Sequence, residues 1–195
     1  MVVAPCELWY NQLILMLFER GGQAVVILGI DPGYAIVGYG VIRPKGTRFE
    51  TLGAGAIETP ADMSFEDRLG EVYSGLSAVI SRYKPDAMAV EKLFFTTNQK
   101  TVILVAQARG VVLLAAQHQH IPIYQYTPLQ VKSAVVGYGK AEKHQVMEMT
   151  RQLLGLKAVP KPDDVADALA VAICHAHTAG SLLGRSHLQA LLEQK

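Results

Sequence analysis

The chain has 195 residues, half of them apolar and 18% charged, which suits one folded domain with its own core and excludes a disordered tail. Its two cysteines, Cys6 and Cys174, lie far apart with no C-x-x-C pair, so neither a secreted disulfide scaffold nor a zinc module fits. The net charge of +1 hides an uneven distribution: residues 1–91 carry seven Lys/Arg against eleven Asp/Glu, residues 92–162 nine against two, and residues 163–195 two against four.

A basic middle third inside an acidic chain suits a surface for a polyanion, although solvated helix faces in ordinary enzymes reach the same imbalance. Apolar runs such as Val111–Ala116 fall short of the roughly 18 residues a bilayer span needs, so a soluble cytoplasmic protein with no membrane partner is expected. Residues 1–24 stand apart. Leu8–Phe18 is largely apolar, but Glu7 occupies the place where a secretory signal carries Lys or Arg, and the segment reads as an N-terminal extension of unknown role. The domain proper spans 25–180, with 181–195 as a C-terminal tail.

From Ala24 a β-branched run leads to Asp31-Pro-Gly, the pattern of a buried strand ended by a turn. Ile36–Ile42 and Phe49–Ile57 follow as strands, giving an antiparallel opening meander. Ser64, with Asp67 three residues on, begins a helix whose Leu69, Val72, Leu76 and Ile80 recur at helical spacing up to Lys84-Pro85. Asp86–Glu91 is another buried strand. Thr101–His118 reads as a helix apolar nearly all round, so more than one face should be covered. Ile121–Tyr126 is a strand, Pro128 opens a helix to Val136, the helical period resumes over Glu142–Leu154, and Lys161-Pro-Asp introduces the last helix. This order predicts an α/β domain: one mixed sheet with helices on both faces.

Four carboxylates occupy positions where core residues are expected. Asp31 and Glu91 end apolar strands, while Asp164 and Asp167 share one face at the start of a helix that continues with the apolar run Ala168–Ile173. Packed together without a cation, such groups repel and resist desolvation; Mg²⁺ or Mn²⁺, hard ions that prefer oxygen donors, would relieve both penalties. Two such ions about 4 Å apart can clamp the attacking and leaving oxygens of a phosphodiester, so hydrolysis of that bond is the reaction implied. Individually each acid has a plainer reading: Asp31 as a turn residue, Asp163 and Asp164 as helix caps, Glu91 as a strand end. Asp167, inside the helix, is the hardest to explain structurally.

Five segments in order carry a resemblance: Ile27-Leu-Gly-Ile-Asp31-Pro-Gly through Gly38-Tyr-Gly-Val-Ile42, Glu91-Lys-Leu-Phe94, Gln107-Ala-Arg-Gly110, Val135-Val-Gly-Tyr-Gly-Lys-Ala-Glu-Lys143, and Asp163-Asp-Val-Ala-Asp-Ala-Leu-Ala170. From about Val25 to His177 the chain resembles the RuvC family of bacterial Holliday-junction resolvases. The resemblance implies an RNase H-like fold with a mixed five-stranded sheet, a homodimer, and divalent-metal cleavage of four-way DNA junctions by paired symmetric nicks, in homologous recombination and repair. It puts Asp31, Glu91, Asp164 and Asp167 at the family's catalytic, metal-holding positions; the third is His in some relatives. It also puts a junction-contacting aromatic on Phe94, with Phe95 adjacent, and the family's two important lysines on Lys132 and Lys143.

Those lysines would hold the scissile phosphate or stabilise transition-state charge, and Lys92 and Lys140 would contact DNA. Lys100, Arg109 and Arg151 read as general phosphate contacts or structural residues. His118, His120, His175 and His177 lie near helix ends at a spacing that makes no metal site. In the expected two-metal mechanism, one ion between Asp31 and the helix acids activates water and a second, shared by Asp31 and Glu91, steadies the departing 3′ oxygen. The family also works beside a branch-migration helicase, a second expected partner. Thr101–His118 is the candidate for part of the dimer interface. Rival readings are a catalytically silent junction-binding module, an actin-like phosphotransferase, and a relative acting on RNA or other branched DNA.

Overall fold

A computed structural model of the chain describes residues 25–93 and 99–193. Three strands, β1 (Ile27–Asp31), β2 (Ile36–Lys45) and β3 (Arg48–Glu58), lead to helix α1 (Phe65–Tyr83) and strand β4 (Ala87–Glu91). Then come α2 (Gln99–His118), β5 (Ile123–Tyr126), α3 (Pro128–Val136), α4 (Lys143–Leu153) and α5 (Asp163–Glu193). One sheet holds all five strands in the order β3-β2-β1-β4-β5. The first three pair antiparallel, while β4 runs parallel to β1 and β5 parallel to β4. This is the expected mixed α/β architecture.

Side chains alternate across the sheet, and the alternation sorts them into two cores. Leu28 and Ile30 of β1 and Met88 and Val90 of β4 point to one face, where they pack with Val72, Leu76 and Ile80 of α1 and Val112 of α2. Ile27, Ala87 and Ala89 point to the other, under Val131 and Val135 of α3, Val146 of α4 and the apolar stretch of α5. The same period carries Asp31 and Glu91, the last residues of their strands, onto the α5 face. Register reinforces this, because Ile30 pairs with Val90 and sets the two acids side by side at neighbouring strand ends.

At two glycines the backbone of helix α5 comes directly against the sheet. A Cβ on Gly38 would fall 2.0 Å from the Asp164 carbonyl oxygen, and one on Gly29 would fall 2.1 Å from that of Ala168. Both are glycines of necessity, since the backbones meet there. The close approach presses the first turns of α5, with Asp164 and Asp167, onto the strand ends that carry Asp31.

The helix boundaries follow local chemistry. Ser64 caps α1 by accepting from the Asp67 amide, and Thr127 and Gln130 form a reciprocal capping box ahead of Pro128 in α3. Within one protomer helix α2 is covered on one side: Ala108, Val112, Ala115 and Ala116 are buried, while Ile103 and Leu114 are 59% and 47% exposed. The backbone of α5 runs on through Glu193. His175 is therefore well inside a helix and buried, stacked on Tyr124 with ring centroids 4.3 Å apart and 2.6 Å from the Tyr126 hydroxyl.

Candidate active site

Asp31, at the end of β1, is the electrostatic centre of the site. Burial is the largest influence on its carboxyl, followed by the negative charges of Asp167, Glu91 and Asp164, and together they push its pKa up from 3.8 to about 7. The carboxyl of Glu91 is also raised, by burial and then by Asp167, against the opposing pull of Lys132 and Lys143. Burial raises Asp167 as well, with Asp164 and Asp163 adding to it while Lys143 opposes. Residues from two strands and one helix thus share a field that none could sustain alone.

The cationic side of the site comes from α3 and α4. The Lys143 ammonium stands 3.0 Å from Asp167 Oδ2 and 3.7 Å from Asp163 Oδ2. Burial draws the ammonium down, but the hydrogen bond to Asp167 and the charges of Asp167, Asp163 and Asp31 carry its pKa upward overall. Lys132 is half-buried and lines a pocket with Glu91, Lys143 and Asp167. Asp163 opens α5, yet its carboxylate is taken up by Lys161 at 2.5 Å, so it acts as an ion-pair partner and not as the cap the sequence suggests.

The remaining sequence candidates divide. Lys92 follows Glu91 directly and is exposed, as is Lys140 in the turn between α3 and α4. Phe94 and Phe95 lie outside the described residues. Arg151 is bound to Glu148 at 2.6 Å and to the Leu156 carbonyl, which makes it structural. Arg109 was left between phosphate contact and structure, and its geometry favours structure: Nε donates to the Glu91 carbonyl at 3.4 Å and Nη2 to Gln125 Oε1 at 2.5 Å, tethering the end of β4 to α2 and β5. Sequence offered only the Gln-Ala-Arg-Gly motif as a signal for that tether. Tyr138, in the turn after α3, is 48% exposed and donates to Gln145 Oε1.

The donor set fits a hard divalent cation. It is all carboxylate oxygen, and its pKa values are raised first by burial and then by mutual repulsion, both of which such an ion would offset. As the side chains stand, no three His, Cys, Asp or Glu among the described residues converge tightly enough to hold a metal. Lys143 supplies the compensating positive charge instead, so the acids must turn inward when an ion binds.

The chain is similar to known proteins over most of its length. The family model described as crossover junction endodeoxyribonuclease RuvC matches residues 27–175. A crossover junction endodeoxyribonuclease RuvC from Alkaliphilus oremlandii is 57% identical over 79% of this chain and 94% of its own length. One from Alkaliphilus metalliredigens is 53% identical over 88% of this chain and its full length. Among solved structures, Thermus thermophilus RuvC superposes with a TM-score of 0.75 at 38% identity, covering 80% of this chain and 96% of that one. The same protein in complex with a Holliday junction substrate gives 0.74 at 35% identity, with the same coverage. Nucleases of this family depend in general on divalent metal. The chain belongs to the RuvC family of crossover junction endodeoxyribonucleases.

Proposed function

We propose that Asp31, Glu91, Asp164 and Asp167 form the centre with which this endodeoxyribonuclease resolves four-way Holliday junctions by paired nicks, binding two Mg²⁺ or Mn²⁺ ions. One observation supports the reading: strand alternation and the glycine contact with α5 bring these four acids together, with burial first and then the other three raising the pKa of Asp31 to about 7. The ions, when bound, would polarise the scissile phosphodiester, make water nucleophilic near neutral pH and take up charge on the departing 3′ oxygen.

The chain's own residues do the positioning. The backbones of Asp31 and Glu91 are fixed by their strands and those of Asp164 and Asp167 by the first turns of α5, so it is the side chains that turn inward to meet a cation. Lys132 and Lys143 face the cluster from α3 and α4 and hold the reacting phosphate; Lys143 is 57% exposed and free to turn from Asp167 toward it. Lys92 and Lys140 contact neighbouring phosphates, and Phe94 with Phe95 wedges the junction centre open.

Two copies are needed for two nicks, and α2 offers the contact. Ile103, Ala106, Gly110 and Leu114 form one exposed stripe with small residues at its middle, which suits close packing against a second α2. The dimer works on chromosomal DNA in the cytoplasm beside a branch-migration helicase. Among the described residues no helix is long and apolar enough to cross a membrane.

The deciding experiment is Asp31→Asn assayed on a synthetic four-way junction with Mg²⁺ or Mn²⁺. Cleavage falls by about 10³-fold or more, while junction binding in Ca²⁺ persists. Cutting at the wild-type rate would return the acids to a structural role and leave a junction-binding module.

A further inference from the structure

Strand β4 ends on Glu91 in a way that leaves a main-chain oxygen without a partner in the sheet. Lys92 donates its amide to the Tyr126 carbonyl at 2.7 Å, as Met88 does to that of Pro122, so these alternate residues turn their main-chain groups to β5. Glu91 therefore turns its own to β1. In a parallel ladder its carbonyl would accept from the residue after Asp31, its neighbour in that strand. That residue is Pro32, which has no N–H. At a half-buried position such an oxygen needs another donor.

Arg109 of α2 supplies it. Its Nε reaches the Glu91 carbonyl at 3.4 Å while Nη2 bonds to Gln125 Oε1, so one planar guanidinium spans the last residue of β4 and the edge strand beside it. The motifs Asp-Pro-Gly and Gln-Ala-Arg-Gly thus meet at one atom: Pro32 withholds an amide and Arg109 provides the hydrogen bond. Gln125 pairs in register with Val90 and shares its face of the sheet, the one covered by α1 and α2. The Glu91 carboxylate lies on the other face, where Lys132 and Lys143 are the cations that pull on it.

We propose that Arg109 is a positioning residue for Glu91: bonded to the main chain from the opposite face of the sheet, it fixes the point from which the carboxylate reaches a metal ion. The proposal rests on the carboxylate centre put forward above. Arg109 touches neither metal nor DNA in this role. A lysine in its place offers one nitrogen where two are used, so it would replace the guanidinium only in part.

The test uses the full-length protein without DNA, titrated with Mn²⁺ and followed by the electron paramagnetic resonance of the free ion. Arg109→Met weakens Mn²⁺ binding about tenfold, and Arg109→Lys recovers part of the loss. Junction cleavage by Arg109→Met needs about ten times more Mn²⁺ to reach half its maximum, yet at saturating Mn²⁺ comes within about threefold of wild type. Junction affinity in Ca²⁺ and its dependence on salt stay as in wild type, whereas loss of a phosphate contact would lower the salt slope by about one. Gln125→Ala, at an exposed position, weakens Mn²⁺ binding about threefold on its own and no further when combined with Arg109→Met. It decides the matter if Arg109→Met does not fold. Wild-type Mn²⁺ affinity in Arg109→Met, or in Gln125→Ala, would overturn the proposal, as would a reduced salt slope. Glu91→Gln separates the two readings: unchanged Mn²⁺ binding there counts against the carboxylate centre, while a loss there with none in Arg109→Met sinks the positioning role alone.

Discussion

Lys143 and His175 illustrate how one side chain acquires its properties from several elements. Lys143 was legible as a family lysine, but its 3.0 Å contact with Asp167 required the packing of α4 on α5. That ammonium is the main positive group facing the acids in the absence of metal, so Lys143→Met should lower stability in chelator and enlarge the rise in melting temperature on adding Ca²⁺ or Mg²⁺. An unchanged metal-induced shift in differential scanning fluorimetry would count against this role. His175 was misplaced by sequence because the apolar run stops near it while the helix continues. Burial pulls its pKa from 6.5 down to about 4, so the folded state keeps it neutral where the unfolded chain takes up a proton. Stability is therefore fully present above pH 6.5 and is lost as pH falls toward 4, by about 3 kcal/mol over that window. His175→Phe retains a ring over Tyr124 and should flatten that acid limb in urea titrations between pH 4 and 7.

Among the elements, strands were the most readable, because turn signals bracket them and a period of two assigns each side chain a face. The helix-to-sheet contact was not. Gly29 and Gly38 looked like residues tolerated within strands, whereas their lack of a Cβ is what lets α5 descend onto the sheet. Gly38→Ala forces a Cβ to within 2.0 Å of the Asp164 backbone oxygen, which only a displaced helix can relieve. We expect a loss of about 1–3 kcal/mol and at least a tenfold loss of junction cleavage. Gly70, on the outer side of α1, has nothing within 4 Å of the added atom. Gly70→Ala should instead stabilise by about 1 kcal/mol with cleavage unchanged, so chemical denaturation of the pair tells contact from helix propensity. The pocket beside the acids was invisible in sequence for a related reason: Val131 and Val146 have ordinary core spacing and are buried, and only the packing of α3, α4 and α5 brings Lys132 and Lys143 together with Glu91 and Asp167 around one space.

For the whole molecule, the apolar circumference of α2 has the widest reach. Its apolar residues encircle the helix, but one protomer covers only one side and leaves Ile103 and Leu114 in the open. A Cβ at Gly110 meets nothing within 4 Å, so a large charged side chain is accommodated there by the isolated subunit. Gly110→Glu should therefore keep its melting temperature within a few degrees yet sediment as a monomer, and junctions treated with it should carry single nicks in place of paired ones. Sedimentation at the wild-type mass would move the interface elsewhere.

The β1–β4 pairing and the seat of α5 also have a consequence for biosynthesis. Asp31 leaves the ribosome first of the four acids and Asp167 last, with Glu91 and both lysines strung out between them. A nascent chain that has not yet reached Asp167 lacks part of the acid set, so the centre cannot assemble before α5 has been made.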